Sequence, residues 1–250
     1  MPPWPEIAAT GAVIGVLFGL FGVGGSSFAT PALGLLGVPG LVAVAAPIPA
    51  VIPAAVAGMI TYVRKGQVEW PVARWCIYGG VPATVLGALL SGSVGGRSLL
   101  IASGVVLAVV GLRILAPLPE THLAGRARRR PSIVIPAAAG IGFFTGLLAN
   151  GGGFLLVPLF VLVLGLTMPE SAGTSLVVIS VLSVPTLITH WALGHIDWVV
   201  AAAFALGVVP GAVAGSQLAD HVPADAMRRG FGVLLIAFAA YFIVRQITAG

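Results

Sequence analysis

The residues with the clearest capacity for chemistry are two glycine clusters. Gly22, Gly24 and Gly25 lead into Ser26 and Ser27, and Asn150 leads into Gly151, Gly152 and Gly153. What glycine offers is bare backbone, whose N–H groups a ligand can approach with no Cβ in the way. A helix that starts just after such a cluster leaves about four N–H groups without intrahelical partners, and its dipole makes that end partly positive. The chemistry this favours is capture of a small anion, with Ser26, Ser27 and Asn150 adding side-chain hydrogen bonds. The competing explanation is close helix packing, a common use of small residues in membranes. It suits the scattered glycines at 79, 80, 87, 207, 211 and 215.

Composition sets the elements that must hold these clusters. Of 250 residues, 58% are hydrophobic and 8% charged, where a soluble domain carries about 25% charged residues; the mean hydropathy is +1.11. No Asp, Glu, Lys or Arg occurs from 7 to 63 or from 131 to 169. An apolar helix of about 20 residues spans a bilayer. The expected class is therefore an all-α, multi-pass integral protein of the cell membrane. The net charge of +5 gathers in short loops and one linker, which points to membrane topology and not to nucleic acid. The start of the chain has no basic region ahead of its apolar run, and it reads as structure, not as a removed signal. The single Cys76 excludes an internal disulfide or a cysteine metal cluster. No cofactor or metal is expected.

The chain repeats itself. Residues 19–26 (GLFGVGGS) return as 146–153 (GLLANGGG), offset by 127, with Pro31 and Pro158 at the same spacing. Residues 66–70 (GQVEW) match 194–198 (GHIDW), and Pro82/Pro210, Gly87/Gly215 and Gly104/Gly232 keep that second offset. Two transmembrane repeats are expected, 1–116 and 132–250, joined by a basic linker at 117–131 that the positive-inside rule puts in the cytoplasm. Each repeat reads as a broken, re-entrant helix pair followed by three transmembrane helices. The segments are 7–21, 26–36, 41–63, 72–92 and 98–115, then 133–149, 153–164, 170–191, 198–218 and 224–244. Inverted copies put ten Lys/Arg inside and two outside, against nine and three for parallel copies, so inverted repeats are favoured.

Paired glycine breaks in a duplicated membrane protein point to a transporter's central site. The pattern resembles the sulfite exporter TauE/SafE family of membrane permeases over nearly the whole chain. The telling parts are Gly19 to Gly25 with Pro31, the second copy Gly146 to Gly153 with Pro158, and Ala172-Gly173-Thr174-Ser175-Leu176 opening the next helix. The resemblance implies duplicated multi-helix halves and movement of sulfite, sulfonates or other sulfur-containing organic anions. Half one departs from the pattern: Ser26 replaces the third glycine, and residues 43–47 (AVAAP) stand where half two has Gly173, Thr174 and Ser175. Polar side chains would thus come mostly from Asn150, Thr174 and Ser175, although Thr174 and Ser175 serve equally well as helix-start residues.

The expected function is a secondary transporter, an exporter of a small sulfur-containing anion working by alternating access, with the anion near mid-membrane. An anion channel is the nearest rival. The expected partners are the anion and the lipid bilayer, with homo-oligomer formation left open. No GxxxxGK[ST] or HExxH motif occurs, which speaks against ATP hydrolysis and metalloprotease chemistry. A serine protease would need a base, and His190 beside Trp191 reads as interfacial; the chain is not expected to be an enzyme. Glu69 and Asp197, each preceding a tryptophan, read as interfacial helix caps. Glu170 reads as a helix N-terminal charge, and Cys76 as packing.

Overall fold

The computed structural model describes residues 3–90, 96–116, 130–147, 153–192 and 194–248, and among these there is helix and no strand. In chain order come α1 (Trp4–Phe21), α2 (Gly25–Leu35), α3 (Gly40–Ala45), α4 (Ile48–Arg64), α5 (Trp70–Leu90) and α6 (Gly96–Leu115). Then follow α7 (Pro131–Leu147), α8 (Gly153–Pro158) running into a π turn (Leu159–Val163), α9 (Met168–Ala192), α10 (Trp198–Leu218) and α11 (Ala224–Thr248). By length and composition, Trp4–Phe21, Val42–Arg64, Met168–Ala192 and Trp198–Leu218 are each able to cross a membrane. The chain is a multi-pass membrane protein.

Local chemistry explains where the elements start and stop. α1 begins at Trp4, ahead of the expected 7, because Pro5 is tolerated in a first turn and Glu6 suits the positive helix end there. With 18 residues it is about 27 Å long, a full crossing and not the short piece expected. The expected segment 41–63 is divided at Pro47, which caps α4. α9 opens with a capping box: the Thr167 N–H donates to Glu170 Oε2 at 2.9 Å and the Glu170 N–H to Thr167 Oγ1 at 3.4 Å. Asp197 caps α10, its Oδ1 accepting from the N–H groups of Val199 (2.9 Å) and Val200 (3.1 Å).

Glycine seams set how the helices pair. α1 and α10 lie side by side and parallel, Gly11 meeting Phe204, Gly15 meeting Val208, Gly19 meeting Ala212 and Gly215 meeting Val16. A methyl built on Gly11 would stand 2.6 Å from the Phe204 carbonyl oxygen, and at Gly15, Gly19, Gly207, Gly211 and Gly215 it would meet backbone closer still. α5 and α7 pair the same way: a methyl on Gly79 would stand 2.5 Å from the Ile135 oxygen, and one on Gly142 2.6 Å from that of Gly80. Lipid tails give apolar helices little reason to associate, so this backbone-to-backbone packing supplies the attraction. The glycines at 79, 80, 207, 211 and 215 are therefore packing residues.

The remaining contacts fix direction. α4 runs parallel to α10, with Thr61 Oγ1 and Ser216 Oγ 2.9 Å apart and Lys65 ion-paired to Asp220. α9 runs antiparallel to α4, since Leu176 faces Gly58 and Gly173 faces Tyr62. α11 is antiparallel to α6, Gly232 meeting Leu115 and the Arg228 guanidinium donating to the Ile114 and Ala116 carbonyls. One end of the bundle thus gathers Arg64, Lys65, Arg74, Arg113, Arg130, Arg228 and Arg229; Arg97, at the start of α6, stands at the other.

Candidate transport site

The site grows from the end of α1. Gly22 takes the left-handed conformation, φ 68° and ψ 22°, and its N–H returns to the Phe18 carbonyl at 2.9 Å, the usual way glycine closes a helix. The last-turn carbonyls still need donors. Tyr62, buried near the end of α4, donates its hydroxyl to the carbonyls of Gly19 at 2.9 Å and Leu20 at 3.1 Å. One phenol therefore closes the helix end that the glycines open. Tyr62 lies two residues before the end of α4, and Phe21 packs on Phe231, seven residues into α11, so the break lies toward the basic end of the bundle.

The chain then turns back. Val23 and Gly24 are buried, and Gly24 (φ −45°, ψ 116°) stands at the N-cap of α2 with no side-chain cap. Gly25, Ser26 and Ser27 form the first turn of this 11-residue helix. Like α1, α3 and α4, α2 has no side-chain cap, and its first-turn N–H groups have no intrahelical partner. α2 runs back along α11, with Phe28 against Phe238 at 4.2 Å between ring centroids. The crevice of about 270 Å³ between them, lined by Phe28, Pro31, Phe238 and Tyr241 among others, is too apolar to suit an anion.

α9 supplies the wall beside the break. A methyl on Gly22 would stand 2.5 Å from the Ala172 Cα and oxygen, and one on Gly173 2.7 Å from the Tyr62 Cβ and the Gln67 oxygen. Thr174, fully buried, accepts the Glu69 N–H at 3.0 Å. Ser175 is fully buried, and its hydroxyl has no partner among the described residues. The alternative of Thr174 and Ser175 as helix-start residues is overturned, because Thr167 and Glu170 cap α9 and both residues lie inside it. The structure therefore brings Gly22, Gly24, Thr174 and Ser175 into one region. Asn150, Gly151 and Gly152 lie outside the described residues, and Gly153 opens α8.

A further residue of this region, Tyr62, was not legible in the sequence, because it acts through a contact between distant parts of the chain, which no local motif announces. Elsewhere, His190 is half-buried with its ring 5.5 Å from that of His195, beside Trp191 and Trp198 at 6.5 Å, as an interfacial aromatic belt requires. Cys76 is buried in the core.

Comparison with known proteins agrees with this architecture. The family described as sulfite exporter TauE/SafE matches residues 7–242. A probable membrane transporter protein of Xylella fastidiosa is 31% identical, covering 95% of this chain and 94% of its own. The probable membrane transporter protein YunE of Bacillus subtilis is 24% identical, covering 85% of each chain. No solved structure matches. The chain therefore belongs to the TauE/SafE sulfite exporter family of membrane transporters.

Proposed function

We propose that this transporter is a secondary exporter of a small sulfur-containing anion, sulfite or an organosulfonate, working by alternating access. The observation that carries this reading is the break itself: Gly22 packs against the Ala172 backbone of α9, and buried Gly24 stands uncapped at the N-cap of α2. Gly22 shapes the turn there, while Gly24, Gly25, Ser26, Ser27, Thr174 and Ser175 surround the anion. The second cluster, Asn150, Gly151, Gly152 and Gly153, is its sequence counterpart in the other half; Gly153 opens α8. Rocking of one half against the other exposes the two in turn.

Two repeats, 1–116 and 132–250 about the linker 117–131, account for the pairing of helices. Exchanging the halves turns the α1–α10 pair into α7–α5 and the α4–α10 pair into α9–α5, and returns α4–α9 and α6–α11 to themselves. Helix directions support inverted copies, α1 running toward the basic end and α7 away from it. With that end cytoplasmic by the positive-inside rule, Ala224→Cys should be labelled from the cytoplasm and Gly194→Cys from outside. Buried Cys76 gives a silent background. Labelling of both from one side would exclude inverted repeats.

The decisive experiment is flux in proteoliposomes with sulfite, sulfate, thiosulfate, a taurine-like sulfonate and chloride. Saturable movement of sulfite or a sulfonate is expected. Fast, non-saturating chloride flux would identify a channel instead, and failure of every anion to move would end the reading.

A further inference from the structure

In the two-repeat reading, residues 128 apart hold equivalent places, and the turns that follow α4 and α9 are built alike. Gly66 and Gly194 both take φ 67°. The Gln67 N–H returns to the Tyr62 carbonyl at 2.9 Å, and the His195 N–H to the His190 carbonyl at 3.1 Å. The contacts these helix ends make with the other half are not alike.

At the basic end, α4 of one half is tied to α10 of the other. Thr61 Oγ1 and Ser216 Oγ lie 2.9 Å apart, and Lys65 is ion-paired to Asp220. Gly58 stands opposite Ala212, where a methyl on the glycine would come within 3.5 Å of the Ala212 oxygen. At the far end, the equivalent pairs on α9 and α5 are Thr189 with Ala88, Leu193 with Gly92, and Thr186 with Thr84. Thr189 donates to the Pro185 carbonyl of its own helix at 3.0 Å. Ala88, Leu193 and Gly92 bring neither charge nor hydroxyl. Bulkier residues stand in place of Gly58 and Ala212, and a cleft of about 70 Å³ lined by Thr84, Thr186 and Thr189 lies between the helices. One repeated interface is thus joined at one end of the protein and parted at the other. Packed interfaces switch between discrete arrangements of this kind and do not deform continuously.

We propose that the Lys65–Asp220 ion pair and the Thr61–Ser216 hydrogen bond are the latch of a gate. They hold the halves together at the basic end and part before the transporter opens to that side. The α5–α9 interface is the opposite gate, and it carries no such latch. The proposal rests on the two-repeat, alternating-access reading above and adds to it the contacts that break. Its consequence is a one-sided bias toward closure at the basic end. The Lys65 and Asp220 side chains are 40% and 29% exposed, so water screens their attraction. A pair of that kind tilts a two-state balance a few-fold and does not lock it.

The test reads the opening directly. Ser216 is fully buried, so Ser216→Cys in the purified full chain should react slowly with a maleimide, over the silent background of buried Cys76. Adding Asp220→Asn should speed that reaction about two- to five-fold, the worth of a partly exposed ion pair. Asp220→Lys should speed it further, and the exchange Lys65→Asp with Asp220→Lys should slow it again. Salt at 1 M, which cuts the screening length to about 3 Å, should speed labelling of Ser216→Cys alone and have no such effect once Asp220→Asn is present. Arg229→Gln is the control, because its partner Asp225 lies on the same helix. In proteoliposomes, Thr61→Cys with Ser216→Cys joined by oxidation should carry no sulfite or methanesulfonate, and reduction should restore flux. Labelling indifferent to both Asp220 variants, or full flux through the oxidised pair, would overturn the latch while the transporter reading stood. No flux of either anion through the wild-type protein would overturn both.

Discussion

Gly207→Leu is expected to leave almost no correctly assembled protein in the membrane. At this position a side chain would meet the Ala8 carbonyl and the Ala12 nitrogen, both backbone atoms of α1. A side chain in the way could change rotamer, but a backbone in the way requires the helices to separate. Overpacking against movable groups already costs about 1–3 kcal/mol. Here separation would also undo the neighbouring contacts of Gly11, Gly15, Gly19, Gly211 and Gly215, on which the longest helix seam depends. A total stability of about 5–15 kcal/mol leaves little room for that loss. Gly140→Leu is the control, since a methyl at that exposed site on α7 would meet nothing within 4 Å. Size-exclusion profiles and thermal melts in detergent should show Gly140→Leu near wild type and Gly207→Leu aggregated or lost. Equal behaviour of the two variants would mean that the seam is not what holds α1 in place.

The seams were legible because glycine recurring along a membrane helix has few other uses, and the helices were legible because charges are absent for long stretches. The end of α1 was legible too, as Gly22 with glycines following. Its start was misjudged, since Trp4, Pro5 and Glu6 look unlike membrane sequence although they form a sound first helical turn. Tyr62 was missed because it closes a helix end 43 residues earlier in the chain. Thr174 and Ser175 were reached through the family's motif, and only the structure separates their circumstances, one hydroxyl bonded to the Glu69 N–H and the other without a partner.

The same contrast between backbone and side-chain obstacles governs Gly22. Gly22→Ala should destabilise the protein by about 2–5 kcal/mol, combining about 1–2 for a left-handed non-glycine residue with about 1–3 for overpacking. The added methyl would meet the Cα, carbonyl carbon and oxygen of Ala172, and none of these atoms is removed by shortening that side chain. Ala172→Gly should therefore fail to rescue Gly22→Ala, unlike an ordinary pair of packed side chains. The consequence extends to transport. Shifting Gly22 away from Ala172 displaces the start of α2 from α9, so the fraction of Gly22→Ala that still folds should carry anions with weakened affinity. Unfolding in detergent together with flux in proteoliposomes measures both effects. A Gly22→Ala protein of wild-type stability, or one restored by Ala172→Gly, would show that the break is soft and that its geometry does not set the site.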